Sequence, residues 1–531
     1  GLSNAYGQNW QASLVEGGTP GRVNSRAAAN VAPFILDLGH HPLLPGPHEA
    51  VKIKARVRDE QADGLTVTLH YRLDRSAYAA PGQRPGFDAA SYVQLPMQVE
   101  QGEDELYWGQ IPPQAEGEIV EFYIQATDAQ GMVRTYPSPS LVDGQAEQIT
   151  NALYCVDSAW SDQTDWVPGS QPLYYLVITG AEAEELHEIG DARYSGNLFA
   201  SEAMSNAQMN ATFISVDGVG QEVRYNVGLR NRGNRSRANP PMSYHVNFAH
   251  DRPWKGKTAV NLNSKYPHLQ LMGSVLFQLA DLAAASAEAI QLRINGINPA
   301  LEDSRMYGSY VAVESLNSEW AARHVPEDGN GNLYRCTYYD NGQTARTFAD
   351  LDYKEGLGQI PDPFDYRLNY PKQTNAQAGD WSDLLTLIDR LNNPAFSDDQ
   401  FLAKIEQVLD LDQWTRYFAA DSLMGNREGG LTTGTGDDYA MYRGLKDPRF
   451  WLLPHDLDTL LGQGDKSYDP QYPIMNYGRV RGLRRLLSHP DVIQRYYQQY
   501  VGLVDTVFSS RRFPYITEQF LGAWLPGSVI E

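Results

Sequence analysis

The feature that most constrains the fold of this chain is the segment 450–462, FWLLPHDLDTLLG, where an apolar and aromatic run ends in two aspartates. The apolar residues predict a buried strand, and Asp456 and Asp458 follow it one residue apart. Carboxylates resist burial unless a partner compensates their charge, and a divalent cation is the usual partner of such a pair. The sequence therefore predicts that this strand ends at a metal site with Asp456 and Asp458 as ligands.

Length, composition and charge indicate a folded protein with more than one domain. A chain of 531 residues is longer than one hydrophobic core normally supports, and a content of 42% hydrophobic and 20% charged residues is ordinary for globular proteins. The 43 basic and 65 acidic residues give a net charge of −22, which disfavours nucleic acid and anionic membranes as partners. The sequence has no apolar run of the roughly 20 residues that a membrane span requires. We therefore expect no nucleic-acid partner and no membrane span.

Cysteine usage and polar composition bear on the compartment. Cys155 and Cys336 are the only cysteines, so a disulfide scaffold and a cysteine-based zinc site are excluded, while a single bridge stays open. The 32 tyrosines and 10 tryptophans, together with few lysines, favour a secreted or cell-surface protein.

The amino-terminal part shows the period-two pattern of β-strands. Apolar and polar residues alternate in three turn-separated segments, at 51–57, 65–71 and 119–126. The pattern predicts a β-sandwich over residues 31–150, followed by a linker over 151–171. The phrase EFYIQATDAQG in this sandwich is similar to strands of immunoglobulin-like and fibronectin type III-like modules. Residues 1–30, which are rich in glycine near their end, resemble the tail of a lamin-tail-like domain, and a linker is the alternative.

The remainder of the chain mixes the strand period with the helix period. Predicted strands come first and predicted helices later, which is the order of an α+β domain. Strands are predicted at 173–179, 223–230, 243–248, 289–294 and 307–314, and helices at 268–288, 381–391, 398–409, 411–424 and 490–508.

Three segments of this part carry a family resemblance. GNREG at 425–429, DDYAMYRG at 437–444 and PHDLDTLLG at 454–462 follow the order of a GN-x-D-like turn, an N-Y-x-x-Y strand and a P-W-D-x-D-x-x-x-G strand end. The chain thereby resembles the spore coat protein H (CotH) kinase family, an atypical branch of the protein-kinase-like fold. The resemblance, which covers residues 172–465, implies a multidomain protein whose β-sandwich precedes an α+β, two-lobed kinase-like domain over 172–531.

The same resemblance implies an activity, a cofactor and partners. It implies transfer of the γ-phosphoryl group of ATP to serine or threonine of a surface or extracellular protein. A bound divalent cation is implied as well, with Mg²⁺ first and Mn²⁺ or Ca²⁺ as alternatives. The expected partners are therefore a nucleotide and a surface or extracellular protein.

Four acidic residues match the chemical positions of the family. Asp456 matches the metal-binding and catalytic aspartate, the analogue of the aspartate in the kinase D-F-G motif, and Asp458 matches the second aspartate of the same strand end. Glu428 stands where the family turn has its catalytic aspartate, and Asp438 stands where the family usually has a metal-holding asparagine. The last two are departures, because a glutamate arm is longer by one methylene and an added carboxylate repels nucleotide phosphates.

Asp421 is a competing catalytic residue. Asp421 and Asn426 lie five residues apart at a predicted helix end, which is the spacing of Asp and Asn in the ordinary protein-kinase catalytic loop. In the other interpretation Asp421 only caps the helix or forms a salt bridge.

Phosphate-binding cations are predicted in the amino-terminal half of the kinase-like part. The segment 229–248 resembles the R-x-R-G-N-x-S stretch of the family, but Pro241 and Met242 stand where the family usually has lysines. The arginines of this stretch can contact phosphates instead, since guanidinium is a fork donor suited to them. The cofactor-binding candidates are Arg232, Arg235, Arg237 and Lys265. The alternative is that these arginines only pair with the abundant carboxylates.

Glu314 completes the set of candidates. MYGSYVAVES at 306–315 matches the G-x-Y-x-x-x-E pattern of the family, in which the glutamate orients a lysine or an arginine. Capping of the following turn is the other interpretation of Glu314.

Two other function classes stay open at this point. The departures at Glu428 and at Pro241–Met242 favour a non-catalytic, structural or adhesive surface protein that binds a ligand, a cation or a partner without turnover. A glycosidase would need two carboxylates facing a sugar cleft, and only the family resemblance selects the kinase over it.

Overall fold

The computed structural model shows a β-rich amino-terminal part and a carboxy-terminal part of helices and small sheets. The multidomain architecture with both strands and helices that the sequence predicts is confirmed at this level. The structure describes residues 8, 10–61, 63–76, 92–160, 170–190, 205–233, 237, 240–340, 346–354, 363–433, 436–466, 474–475 and 480–530.

Two antiparallel sheets form a β-sandwich at the amino-terminal end. Its strands are β1 (Phe34–His41), β2 (Val51–Arg58), β3 (Thr66–Leu73), β4 (Val93–Pro96), β5 (Gln98–Glu100), β6 (Glu103–Ile111), β7 (Ile119–Thr127), β8 (Val133–Tyr136), β9 (Ser140–Val142), β10 (Gln145–Glu147) and β11 (Ala152–Cys155). The sheet orders are β1-β2-β6-β5 and β11-β7-β3-β4, with β8 beside β7 and a separate β9-β10 pair. Ile53, Leu69 and Phe122 are fully buried in the shared core, so alternation along the strands sets the inward face. β11 lies in the segment that the sequence suggests as a linker.

A closed barrel follows the sandwich. Its elements are β12 (Leu173–Ile178), α1 (Gly180–Gly190), β13 (Met209–Asp217), β14 (Gly220–Arg232), β15 (Ser243–Asn247), β16 (Ala259–Asn263), α2 (Pro267–Leu279), β17 (Ala287–Ile294) and β18 (Tyr310–Glu314). The strand order around the barrel is β12-β13-β14-β15-β16-β18-β17, and β17 closes it by pairing in parallel with β12. Aromatic rings fill its interior, with Trp254 edge-on to Tyr174 and Phe213.

The helix predicted over 268–288 is too long. α2 ends at Leu279, because Asp281 adopts a left-handed φ of 58° and the N–H of Leu282 bonds to the carbonyl of Phe277, which closes the helix end. The alanine-rich stretch that follows continues the helical spacing in the sequence, which explains the overlong helix, and strand β17 confirms the strand predicted at 289–294.

The sandwich and the barrel meet in an apolar contact that we call the junction. It contains Leu44, Leu153, Cys155, Leu173, Tyr175, Val177, Ile214 and Val216. Hydrogen bonds cross it as well, from the backbone N–H of Leu153 to the Thr212 hydroxyl at 3.0 Å and from the Asn210 amide to the carbonyl of Asn151 at 2.8 Å. Cys155 in the junction and Cys336 in the carboxy-terminal sheet are both free, buried thiols, so the bridge left open by the sequence is not formed.

The carboxy-terminal part combines helices with a three-stranded antiparallel sheet of order β19-β22-β23. Its strands are β19 (Asn332–Cys336), β20 (Tyr339–Asp340), β21 (Arg346–Thr347), β22 (Tyr439–Arg443) and β23 (Phe450–Pro454). Its helices are α3 (Ser318–His324), α4 (Pro363–Asn369), α5 (Ser382–Asn392), α6 (Asp398–Ile405), α7 (Leu411–Leu423), α8 (Gly430–Thr433), α9 (Arg484–Ser488), α10 (Pro490–Asp505), α11 (Arg512–Leu521) and α12 (Gly527–Ile530). The predicted helices near 381, 398, 411 and 490 are confirmed.

One core holds this part together and reaches the barrel. Leu276 and Phe277 of α2 belong to the same buried cluster as Trp414 and Phe418 of α7, so α2 ties the barrel to the helices. Among the described residues, every helix is too short or too polar to cross a membrane.

Candidate active site

The hairpin of β22 and β23 brings the predicted acids together. Tyr439 at the start of β22 pairs with Pro454 at the end of β23, so the residues just outside both strands emerge at the same end. Asp438 therefore lies opposite His455 and Asp456. The possible ligand atoms of these three residues all lie within 4.8 Å of one another. Asp438 and Asp456 both adopt a left-handed φ of 54°, a conformation that costs backbone energy and that aspartate tolerates better than most residues.

The acids at this end of the hairpin repel one another. In the part of the chain that the structure describes, no lysine or arginine forms an ion pair with Asp438, Asp456 or Asp458. Burial raises the pKa of Asp438 well above its usual range, and the neighbouring Asp456 and Asp437 raise it further. Burial and Asp456 likewise raise the pKa of Asp458. The site thus holds carboxylates that only an added positive charge would satisfy.

His455 adds a nitrogen to this set. Its Nδ1 is buried, has no hydrogen-bond partner among the described residues and lies 4.0 Å from a carboxylate oxygen of Asp438. Burial, with Arg335 and Arg232 nearby, lowers the pKa of His455 well below its usual range. The imidazole is therefore neutral at neutral pH, which is the form that binds metal ions.

Two adjoining cavities, which we call the cleft, open beside these groups. The first, of about 380 Å³, is lined by the acids Glu428, Asp437, Asp438, Asp456, Asp458 and Asp465 and by the cations Arg232, Lys265, Arg335 and Lys466. The second, of about 270 Å³, shares Arg232, Arg335 and Asp456 with the first and extends to Glu314 at the end of β18. The cleft runs between the barrel and the carboxy-terminal sheet, because β14 and β18 line one side and β19 and the β22–β23 hairpin line the other.

Two arginines form the cationic wall of the cleft. Arg232, the last residue of β14, donates to the side-chain oxygen of Asn263 at 2.6 Å, and burial lowers its pKa to about 10 although Asp456 opposes this. Arg335 of β19 has a buried Nε with no hydrogen-bond partner in the part of the chain that the structure describes. Neither guanidinium forms an ion pair within the described residues. Two unpaired arginines beside unpaired carboxylates leave room for an anion and a cation between them.

The other predicted cations differ in their placement. Arg237 donates to the carbonyl of Gly233 at 2.6 Å and to Asn206 at 2.7 Å, at the rim of the second cavity. Arg235 lies outside the described residues. Lys265 lines the first cavity and pairs with Asp465 at 2.8 Å.

Glu428 also reaches the first cavity. Its carboxylate pairs with Lys466 at 2.8 Å, and burial raises its pKa although Lys466 opposes this. The turn that carries it is fixed by Asn426, whose side-chain oxygen accepts the backbone N–H groups of Glu428 and Gly429 at 3.0 Å.

Asp421 and Glu314 stand apart from the cluster. Asp421 is buried at the end of α7 and accepts the side-chain amide of Asn426 at 2.8 Å, so it supports the turn without lining either cavity. Glu314 lines the second cavity, but its partners are Arg323 and His324 of α3, with the imidazole at 2.8 Å. The structure therefore gathers Glu428, Asp438, Asp456, Asp458, Arg232 and Lys265 around one cavity and leaves Asp421 outside it.

Sequence reasoning missed several residues of the cleft: His455 in the second cavity, and Arg335, Asp437, Asp465 and Lys466 in the first. The signal for His455 was present, since a hairpin joining 438 to 456 places residue 455 in the same cluster. Arg335 gave no local signal, because it lies about 120 residues before the acids and only the β19–β22 pairing brings it near.

Known proteins resemble the chain most clearly in the part that contains the cleft. A family model described as CotH kinase protein matches residues 229–519. Inner spore coat protein H of Bacillus subtilis (strain 168) is 22% identical over 271 residues, which is 50% of this chain and 66% of that protein. The matched region thus spans just under two thirds of that relative's length.

Solved structures show weaker likenesses. The sporulation control protein Spo0M from Bacillus subtilis aligns with 43% of this chain and 89% of its own, at 8% identity and a TM-score of 0.16. The cycloalternan-forming enzyme from Listeria monocytogenes aligns with 40% of this chain and 21% of its own, at 9% identity and a TM-score of 0.14. These TM-scores carry no argument about fold or site.

Proposed function

The chain belongs to the CotH kinase protein family, whose model matches more than half of it, and on that premise we propose that it is an atypical kinase. Its reaction is transfer of the γ-phosphoryl group of ATP to a serine or threonine hydroxyl of a surface or extracellular protein. One observation supports this most: unpaired carboxylates and unpaired arginines face one cavity without neutralising each other. A triphosphate brings the negative charge that the arginines lack, and its metal ion brings the positive charge that the carboxylates lack.

Asp438 and Asp456 are the proposed ligands of a divalent cation, with Asp458 beside them. The orphaned Nδ1 of His455 and the mutual repulsion of the carboxylates both fit a cation at this position. When bound, the ion supplies positive charge that neutralises phosphate oxygens and the charge that develops on them during transfer.

Arg232 and Arg335 take the place of the lysines expected at Pro241 and Met242. Met242 is buried and lines a small separate cavity, so that segment offers no cation to the cleft. A guanidinium binds phosphate through two parallel hydrogen bonds, and both arginines have unused donors. Lys265 and Lys466 add positive charge at the edge of the same cavity.

Glu428 is the proposed catalytic base. The acceptor hydroxyl oxygen forms a bond to the γ-phosphorus, the bond from that phosphorus to the bridging β-phosphate oxygen breaks, and ADP leaves. The hydroxyl proton passes to the Glu428 carboxylate. Burial raises the pKa of this group, which makes it a stronger base than an exposed glutamate. Asn426 holds the turn, and Asp421 holds Asn426.

The relative supports a proposal about the location of the protein. Inner spore coat protein H is named as a coat component, and we propose a secreted or cell-surface location for this chain as well. The non-catalytic alternative, a surface protein that binds nucleotide or cation without turnover, is an outcome of the test below.

Transfer of ³²P from γ-labelled ATP, with Mg²⁺, Mn²⁺ or Ca²⁺ supplied separately, tests the proposal. The acceptors are the protein itself and dephosphorylated casein, with phosphoserine and phosphothreonine mapped by mass spectrometry. We expect label with the wild type and a loss of at least about a thousandfold with Asp456→Ala, because metal-ion stabilisation is worth several kcal/mol and each 1.4 kcal/mol is tenfold. The matched control is Asp281→Asn, whose carboxylate is 94% exposed and which should keep full activity.

Two results would overturn the kinase assignment. Label that persists unchanged in Asp456→Ala would show that another site or a contaminant transfers phosphate. Absent label with every cation, together with nucleotide binding that survives, would assign the non-catalytic alternative.

A further inference from the structure

His455 distinguishes this metal site from one built of oxygen alone. The residue directly follows β23, and its possible ligand atom lies within 4.8 Å of those of Asp438 and Asp456. The family signature has tryptophan at this position, so an imidazole here is a property of this chain. Asp438 precedes β22 and the other two residues follow β23, so the three side chains meet at the open end of one hairpin. They offer two carboxylate oxygens and one ring nitrogen as metal ligands.

A satisfied core histidine looks different in the same cleft. His245, which lines the second cavity, has both ring nitrogens hydrogen-bonded, to Asn261 at 2.7 Å and to Asn247 at 3.0 Å. The Nδ1 of His455 is buried with no such partner. Its 4.0 Å separation from Asp438 is too long for a hydrogen bond. A buried, unpaired nitrogen beside two carboxylates is costly unless a ligand completes it.

The donor set of two oxygens and one nitrogen determines whether the site prefers Mg²⁺ or Mn²⁺. Mg²⁺ demands near-ideal octahedral coordination by oxygen and dehydrates reluctantly. Mn²⁺ accepts carboxylate oxygens as Mg²⁺ does, yet it also forms stable bonds to imidazole nitrogen, and affinities of mixed sites rise along the first transition row. We propose that His455 coordinates the metal ion through a ring nitrogen together with Asp438 and Asp456, and that the site therefore prefers Mn²⁺ to Mg²⁺.

This inference rests on the proposed function only for the role of the ion as the partner of nucleotide phosphates. The binding of Mn²⁺ itself requires no phosphoryl transfer. Pulsed electron paramagnetic resonance of the full chain with one equivalent of Mn²⁺ reads the ligand nitrogen directly. We expect electron spin-echo modulation from a coordinated ¹⁴N in the wild type, and its replacement by a ¹⁵N pattern when histidine alone is ¹⁵N-labelled.

Two variants and a control assign the nitrogen to its residue. His455→Gln keeps a polar side chain without an imidazole, and His455→Trp introduces the residue of the family signature; both should lose the nitrogen modulation. His245→Gln is the matched control and should retain it. Calorimetry should show Mn²⁺ bound at least about tenfold more tightly than Mg²⁺ by the wild type. His455→Gln should weaken Mn²⁺ binding on the order of 10–100-fold and leave Mg²⁺ within about threefold.

The measurement on the wild type decides the matter even where a variant fails to fold. A wild-type spectrum without nitrogen modulation, or modulation that survives in folded His455→Gln, would overturn the assignment, as would equal losses of Mg²⁺ and Mn²⁺ affinity. Nitrogen coordination without label transfer from ATP would leave the metal site standing and remove the kinase. Label transfer without nitrogen coordination would leave the kinase proposal standing and remove His455 as a metal ligand.

Discussion

The junction and the cleft both bury charged side chains, but they treat them in opposite ways. Beside the junction, Arg72 donates to both carboxylate oxygens of Glu121 at 3.0 and 3.1 Å, and the Asn151 amide adds a third hydrogen bond at 2.7 Å. In the cleft, Asp438 and Asp456 face each other with no cation paired to either among the described residues.

This difference in charge pairing distinguishes a structural part of the molecule from its ligand-binding part. The Arg72–Glu121 pair joins the neighbouring strands β3 and β7 of one sheet, and its charge balance is internal. Unpaired like charges destabilise the fold, so they persist where a ligand is meant to complete them. The sandwich thus neutralises its buried charges with its own residues, and the cleft is the part whose charge balance depends on what it binds.

The largest expected effect comes from removing one charge of the Arg72–Glu121 pair. Glu121→Gln leaves the Arg72 guanidinium buried without its counter-charge, and we expect a loss of about 3–5 kcal/mol in the free energy of unfolding. Denaturant titration followed by tryptophan fluorescence measures it. Glu100→Gln, in a partly exposed pair with Lys52, is the control and should change less. Equal small losses in both variants would show that the Glu121 pair contributes no more than a surface pair.

A smaller effect of the opposite sign is expected in the cleft. Asp438→Asn removes one of the repelling carboxylates and keeps a residue that tolerates the left-handed backbone. Without metal, the variant should be more stable than the wild type by about 1–3 kcal/mol, since the penalty of an unsatisfied buried group is of that size. Thermal unfolding in the presence of a chelator measures this difference. A destabilised variant would mean that an internal partner already satisfies Asp438.

The pH dependence of that difference sharpens the comparison. The folded-state pKa of Asp438 is raised above its ordinary 3.8, so its stabilising contribution is fully present below pH 4 and is lost as pH rises through the raised pKa. The advantage of Asp438→Asn should therefore be absent near pH 3.5 and grow as pH rises. Mn²⁺ should abolish it at neutral pH by stabilising the wild type. Melting temperatures across this range, with and without Mn²⁺, check both statements; an advantage that is constant with pH would contradict them.

A pH-dependent effect is also expected at Glu182, near the junction. Burial raises the pKa of Glu182 to about 7, while its carboxylate accepts the backbone N–H of Asn210 at 3.0 Å. Wild-type stability relative to Glu182→Gln should fall as pH rises from about 4.5 to above 7, by up to about 3 kcal/mol. Paired melting curves in chelator and in Mn²⁺ measure it. The fall should be identical in both, because no metal acts there; a Mn²⁺-dependent fall would link Glu182 to the cleft.

The local motifs of the chain predicted four of the six acids that line the first cavity, but not Asp437 or Asp465. An apolar strand that ends in Asp456 and Asp458 and the turn at Glu428 are short-range patterns, and the hairpin then brings Asp438 to them. The cationic wall depends on pairing between distant strands, so Arg335 gave no sequence signal. Its partner Arg232 was identified through the family resemblance.

Secondary structure could likewise be predicted where its causes are local, and it could not where they are long-range. Strands such as β2 and β7 were readable from alternation, and α5 and α7 from helical spacing. The end of α2 was not, because the alanine-rich stretch after Leu279 continues the helical pattern almost to the start of β17. The closing of seven strands into a barrel likewise has no signature shorter than the whole segment.

The most direct test of the central claim is thermal unfolding with a non-hydrolysable ATP analogue and Mn²⁺, added singly and together. If the cleft is built to take a metal ion and a triphosphate between its two walls, the two ligands together should stabilise the wild type by more than the sum of the single additions. A ligand at 100 times its Kd should raise the free energy of unfolding by about 2.7 kcal/mol. Asp456→Ala should lose the metal-dependent part. No stabilisation of the wild type, or the same stabilisation in Asp456→Ala, would contradict the account.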